Sequence, residues 1–251
     1  MNGRFPEDAY RRKVVSFDVP SACLGRPVTV RVFLPPGDAD AEARRALPAV
    51  YAQDGQHVFQ YGRAATLAHA LIAEGVLRPF RLVGIEVNLA TRLDEYHPEG
   101  RRNAAYRCFF FEELLPAAEA RYPVPPSGLR RIAAGDSLGG TVSFDLALDR
   151  PDLFQGVISL STAFVPALLR RLQATKPEAI RHLRVFQYVG TEETAVQTRL
   201  GTLDILAMNR EGRRLLEANG VDVRYVERPG AHTWGAWQKI LPESLRHFFG
   251  S

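Results

Sequence analysis

The run Arg131-Ile132-Ala133-Ala134-Gly135-Asp136-Ser137-Leu138-Gly139-Gly140-Thr141-Val142 decides the reading of this chain. Ile132, Ala133 and Ala134 form a short apolar segment of strand type, and Leu138 to Leu148 carries helical spacing. Between them stands Gly-x-Ser-x-Gly, the pattern of a nucleophile elbow. A chain that leaves a strand and enters a helix within a few residues must bend sharply. Glycines on either side of the bend let strand and helix pass close together. The serine then projects above the carboxyl end of a sheet, at a helix N-terminus whose free N–H groups favour developing negative charge.

Upstream, Val14–Val19 and Val28–Leu34 alternate as an antiparallel pair, ended by Pro35-Pro36-Gly37. Asp38–Ala46 is a polar loop or short helix. Leu47–Gln53 is a strand that runs into Asp54-Gly55-Gln56-His57, and Thr66–Glu74 is a helix ending at Gly75. Phe80–Asn88 is continuously apolar, as in a strand covered on both faces. Leu89–Asn103 is a long polar loop, and Ala104–Ala120 an amphipathic helix whose three phenylalanines pack on the sheet. Downstream come a strand over Phe154–Leu160, helical segments over Pro166–His182 interrupted near Pro177, and a strand over Leu183–Val189. A helix over Val196–Asn219, with a break at Gly201 or Gly212, precedes a last strand, Val221–Val226, and a closing helix, Gly235–Phe249. Alternation of strand and helix from Leu47 onward calls for a mostly parallel, twisted sheet with helices on both faces. The insertion after the Phe154–Leu160 strand is short, so the expected lid is short or absent. Residues 1–251 read as one α/β domain, with residues 1–13 loosely ordered.

Composition narrows the function. The net charge is +4, carried almost wholly by arginines in scattered pairs, and lysine stands only at 13, 176 and 239. No basic tract with interleaved aromatics suggests a nucleic-acid face. The N-terminal residues lack an apolar signal segment, and the apolar runs are too short to span a membrane. These features predict a cytoplasmic protein. Cys23 and Cys108, the only cysteines, are expected as free thiols in a reducing compartment, and no Cys/His spacing suggests a metal site. The pattern leaves the oligomeric state open.

A serine hydroxyl needs a base to attack at neutral pH, and histidine serves best. Of the six histidines, at 57, 69, 97, 182, 232 and 247, only His232 follows the final strand, where the order Ser, acid, His requires the base. The acid belongs after the penultimate strand, at Glu192 or Glu193; Glu193 is preferred because it lies farther past the strand end. Two N–H donors must meet the oxyanion: the amide of Leu138 and, from the Asp54-Gly55 loop, that of Gln56. His57 and His97 fall on loops near the carboxyl ends of strands and are candidates to line the pocket.

With these residues in place the chain resembles the esterase D-type (putative esterase) family of α/β-hydrolases, which includes siderophore trilactone esterases, feruloyl esterases, S-formylglutathione hydrolases and mycolyltransferases. The resemblance runs from Val28 to Phe249. It is carried by Asp54-Gly55-Gln56, Arg92 to Tyr96, Phe110 to Tyr122, the elbow, and Gly230-Ala231-His232-Thr233-Trp234-Gly235-Ala236-Trp237. Ala231 departs from the family's usual glycine. The resemblance implies the α/β-hydrolase fold and hydrolysis of a small-molecule ester through an acyl-serine, with no cofactor and no metal. It favours the siderophore-esterase branch, with His57, Arg92, Tyr96, Arg102 and Trp234 as substrate contacts. Arg63 and Arg101 join Arg92 and Arg102 as cations for an anionic catecholate. Acyl transfer to another acceptor and a non-catalytic binding protein of the same fold are the alternatives.

Overall fold

A computed structural model describes residues 12–37 and 45–251. The expectations for the N-terminal residues 1–11, and for residues 38–44 of the polar loop, lie outside the described residues.

Eight strands form one sheet in the order β1-β2-β4-β3-β5-β6-β7-β10. Its antiparallel edge is β1 (Lys13–Val19) and β2 (Val28–Leu34), with β2 also antiparallel to β4 (Arg81–Ile85). From β4 the sheet runs parallel through β3 (Ala49–Ala52), β5 (Arg131–Asp136), β6 (Gly156–Leu160), β7 (Arg184–Gly190) and β10 (Asp222–Arg228). Successive side chains of a strand face opposite sides, and the sequence obeys this in detail. Tyr51 and Ala133 enter one apolar cluster, whereas Val50, Ala52, Ile132 and Ala134 enter the other. The second cluster is closed by α2 (Ala64–Ala73) and α10 (Trp234–Phe249). The first takes α6 (Leu138–Asp149), α7 (Pro166–Ala174), the short α8 (Pro177–Ile180) and α9 (Ile205–Ala218).

The expected helix over Ala104–Ala120 is present as α4 (Asn103–Cys108), a π-helical turn over Phe109–Leu114, and α5 (Leu115–Arg121). Pro116, which cannot donate to the helix ladder, is the second residue of α5, just past the π turn. Phe109 and Phe110 are fully buried against the sheet side.

Three expectations are corrected. Cys23 and Cys108 are not free thiols: they form a disulfide that ties the β1–β2 link to the end of α4, with Cα atoms 6.0 Å apart. Cysteine usage therefore gives no support to a reducing compartment. The stretch Val196–Leu203 is not helix but a hairpin, β8 (Val196–Thr198) and β9 (Gly201–Leu203), which forms a sheet of its own. Its turn uses Gly201 at φ 96°, and the helix starts only at Asp204, whose carboxylate accepts from Ala207 N at 2.8 Å as an N-cap. Finally, the polar loop over Leu89–Asn103 contains a short helix, α3 (Arg92–Tyr96), anchored by buried Glu95, which accepts two bonds from Arg26. No helix among the described residues is long and apolar enough to cross a membrane.

The elbow depends on a close crossing of β5 and α6. A Cβ on Gly135 would lie 2.3 Å from the carbonyl of Gly139. Both atoms at the clash are backbone, so neither can swing away. Gly135→Ala is expected to lower stability by about 3 kcal/mol, as overpacking against rigid atoms does, measured by urea unfolding with an unchanged m-value.

Candidate active site

Ser137 stands between β5 and α6 with φ 52° and ψ −122°. Its amide donates to Leu160 O on β6 at 2.9 Å, and its carbonyl accepts from Ala163 N at 3.0 Å. The strained bend is thus held from the neighbouring strand and from the loop beyond it. Four non-glycine residues among those described have positive φ: Asp54, Arg63, Ser137 and Ser161. Three of the four belong to this site, in line with the tendency of backbone strain to collect where chemistry is done.

The hydroxyl of Ser137 lies 2.9 Å from His232 Nε2, and the other ring nitrogen, Nδ1, lies 2.6 Å from Glu193 Oε2. These three residues come from the ends of three elements: the β5–α6 turn, the turn after β7, and the loop after β10. The second oxygen of Glu193 accepts from Gly190 N at 2.8 Å and from Ser161 Oγ at 2.7 Å. Ser161 Oγ in turn accepts from the indole N–H of Trp237 at 2.9 Å. Trp237 also meets the imidazole of His232 edge to face, with ring centres 5.0 Å apart. Glu193 is fully buried, whereas Glu192 is exposed. Of the two acids that the sequence offered, the structure brings Glu193, the preferred one, to the imidazole and leaves Glu192 at the surface. Ser161 and Trp237 carried no assigned role in the sequence reading. Trp237 stood in the His-x-Trp-x-x-Trp ending, but Ser161 has no sequence signal, since its role depends on strand β6 ending beside β7.

Asp54, at φ 55°, opens α1 (Gly55–Gln60). Its buried carboxylate takes a bidentate pair from Arg92, at 2.7 Å to Nε and 2.7 Å to Nη2. Burial works against the Arg92 charge, but Asp54 more than offsets it and holds the guanidinium protonated above its ordinary range. The phenol of Tyr96 accepts from Asp54 N at 3.3 Å, and burial pushes its pKa well above the usual tyrosine value. Gly139 explains the second glycine of the elbow: a Cβ there would lie 2.8 Å from Asp54 Oδ2. The loop carrying Asp54 can pack on the elbow helix only because that position is bare.

A cavity of about 400 Å³ opens above Ser137. Leu138, His57, Arg92 and His232 line it, with Trp237 at its wall. The hairpin supplies Gln197, Thr198, Arg199, Leu200 and Leu203. Arg199 Nη1 donates across the mouth to Leu89 O at 3.2 Å.

The other expected contacts fall elsewhere. Tyr96 is fully buried behind Arg92. Arg102 donates to Leu24 O at 2.7 Å, and Arg101 is an exposed partner of Asp94. Trp234 packs with the second apolar cluster. His97 accepts from Glu99 N at 3.1 Å, and neither it nor Arg63 lines the cavity. Gln56 is locked by its side-chain amide, which bonds both the N–H and the C=O of Val87 at 3.1 and 3.0 Å. No group of acidic, histidine or cysteine residues suited to a metal ion occurs among the described residues.

A parallel sheet whose elbow serine meets an imidazole and a buried carboxylate defines an α/β-hydrolase. Residues 21–248 match the family model described as "Putative esterase", and the chain belongs to that family. It is a carboxylic ester hydrolase. YjcH of Bacillus subtilis (strain 168), described as an uncharacterized protein, is 32% identical over 225 residues, covering 89% of this chain and 92% of that protein. Among solved structures, a ferulic acid esterase superposes with a TM-score of 0.78 at 20% identity, covering 95% of this chain and 100% of the other. An enterobactin esterase of Shigella flexneri, solved in the presence of enterobactin, gives a TM-score of 0.78 at 21% identity. That match covers 93% of this chain but 58% of the esterase.

Breaking the pair under the active-site loop should be costly, because it strands a buried charge. Arg92→Met is expected to destabilise the fold by about 3 kcal/mol, and Arg92→Lys to restore part of that, since ammonium keeps the charge without the two-pronged geometry. Chemical denaturation of the three proteins at neutral pH measures both differences.

Proposed function

We propose that the chain hydrolyses small esters through an acyl-serine formed on Ser137. The observation that carries this reading is the unbroken chain of hydrogen bonds from Ser137 Oγ through His232 to Glu193. His232 Nε2 takes the hydroxyl proton as Oγ bonds to the ester carbonyl carbon. Glu193 fixes the tautomer by accepting a hydrogen bond from Nδ1–H, which keeps its proton, and stabilises the imidazolium that forms. The carbonyl π electrons move to oxygen, and the amides of Leu138 and Gln56 receive that negative charge. When the intermediate collapses, the C–O bond to the alcohol breaks and His232 returns the proton to the leaving oxygen. Water then repeats the sequence on the acyl-serine, releasing the acid and restoring Ser137. No cofactor enters the reaction.

The substrate is read from the cavity and from the names of the similar structures. The wall is largely apolar, with Leu89, Leu93, Leu138, Leu200, Leu203 and Trp237. Its volume suits a single acyl or aryl group rather than a macromolecule. This supports an aromatic or short aliphatic acyl ester, of the kind the name ferulic acid esterase denotes. A siderophore ester stays within the reading, but with less support. Of the four arginines expected to meet an anionic catecholate, Arg92 alone lines the cavity, and its charge is taken by Asp54.

Ser137→Ala is expected to lower kcat for a p-nitrophenyl butyrate by on the order of 10⁴–10⁶-fold with an unchanged melting temperature. Glu193→Gln should lower it by on the order of 10⁴-fold, since the amide supports the wrong tautomer. Stoichiometric labelling of the wild type by a fluorophosphonate, abolished in Ser137→Ala, is the accompanying result; an unlabelled wild type refutes the serine mechanism.

A further inference from the structure

Asp136 precedes the nucleophile and ends β5, yet no step above uses it. It is only 6% exposed, and its Oδ1 is buried with no hydrogen-bond partner. On one side it borders the 400 Å³ cavity over Ser137. On the other it borders a small internal void whose remaining lining is apolar, with Val50, Phe80, Leu82 and Ile158 among it. The nearest cation is Arg92, but Asp54 already engages two of its nitrogens. A carboxylate in such a place is largely desolvated and has no counter-ion of its own, and burial of that kind favours the protonated carboxyl.

We propose that Asp136 works as a positioning residue in its neutral form: uncharged, it leaves Arg92 wholly to Asp54, which holds the loop carrying Gln56, and keeps negative charge away from the oxyanion. This rests on the ester-hydrolase reading. Ionised, Asp136 competes with Asp54 for the one guanidinium and sets a negative charge one residue from the developing alkoxide, where it opposes the transition state.

Burial is the larger cause and the charge of Asp54 the second; together they push the Asp136 carboxyl up to about 8, against the pull of Arg92. Other charged or titratable groups face the same space. Arg92 is held protonated by Asp54, and Arg199 lines the cavity. Tyr96, on the Asp54 amide, has a phenol raised by burial. His57 of α1 and His232 also face the cavity. Glu193 faces His232 from behind.

The test is a pair of pH series on the whole protein, wild type against Asp136→Asn, with Asp136→Ser as a second neutral variant should the first misfold. In the first series kcat/KM for p-nitrophenyl butyrate is followed from pH 6 to 9.5. With the carboxyl titrating at about 8, roughly 3% stays neutral at pH 9.5, so the wild type should lose about 30-fold between pH 7 and pH 9.5. The neutral variant should lose less than about threefold over that interval. An equal alkaline loss in both proteins, or none in the wild type, overturns the proposal.

The second series is melting temperature against pH and needs no substrate. A carboxyl raised in the folded state binds its proton there more tightly than in the unfolded chain. Its contribution to stability is full below the unfolded value and is lost as pH rises to the folded one. The variant should therefore gain on the wild type by several degrees between pH 4 and pH 8, and no further above that. A difference that stays constant across this range overturns the neutral Asp136. A wild type that hydrolyses no ester overturns the hydrolase reading instead and leaves this second series to decide Asp136.

Discussion

The structure depends on one contact between two stretches of bare backbone. At the elbow, Gly135 on β5 faces the carbonyl of Gly139 on α6 at a distance that leaves no room for a Cβ. That approach lets the chain reverse from strand to helix with Ser137 alone at the apex. Once it is made, the rest of the site has fixed coordinates. Leu160 and Ala163 hold the serine backbone, and the β7 and β10 turns, set in register beside β6, deliver Glu193 and His232 to it. A hydroxyl, an imidazole and a carboxylate separated by dozens of residues can meet within hydrogen-bond distance only because a parallel sheet brings its strand ends to one rim.

Much of this could be read from the sequence, and the reasons differ by residue. The alternation of Val50, Tyr51 and Ala52, and of Ile132, Ala133 and Ala134, is local pattern, so strands and faces followed directly. Ser137 and His232 were legible because the turn that carries each has its own spelling. The hairpin over Val196–Leu203 was not, because its residues continue into a strong helical pattern. The signal that separates them is a single N-cap, Asp204. The disulfide was invisible for a different reason. Cys23 and Cys108 are 85 residues apart, and only the packing of α4 against the β1–β2 link brings them together. Tyr96 and Arg102 sat in the right motif but turn inward. A motif fixes order along the chain, not the direction in which a side chain leaves it.

The loop facing the elbow is built by the same economy of space. Asp54 adopts a left-handed conformation, is pinned by Arg92, and rests on bare Gly139. The second glycine of the elbow therefore serves two elements at once: its own helix, and the loop that reaches over it. The lock on Gln56 from Val87 completes the restraint from β4's end. In the proposed mechanism the Gln56 amide receives the oxyanion, and such a donor gains most when it has no freedom to lose as charge develops.

Two buried acids beside one serine show how partners decide chemical state. Glu193 accepts from Gly190, Ser161 and His232, so each of its oxygens has a donor, and its charge has somewhere to go. Asp136 lies at the same depth, but its Oδ1 meets no donor, and the cation within reach is committed to Asp54. Burial pushes the Asp136 carboxyl toward the neutral form. Its Oδ1 lacks the donors that both oxygens of Glu193 have. Carboxyls of like chemistry a short distance apart thus divide the work. In the proposed mechanism one orients the base, and the other keeps its proton so that the Asp54 loop stays at one anion to one cation.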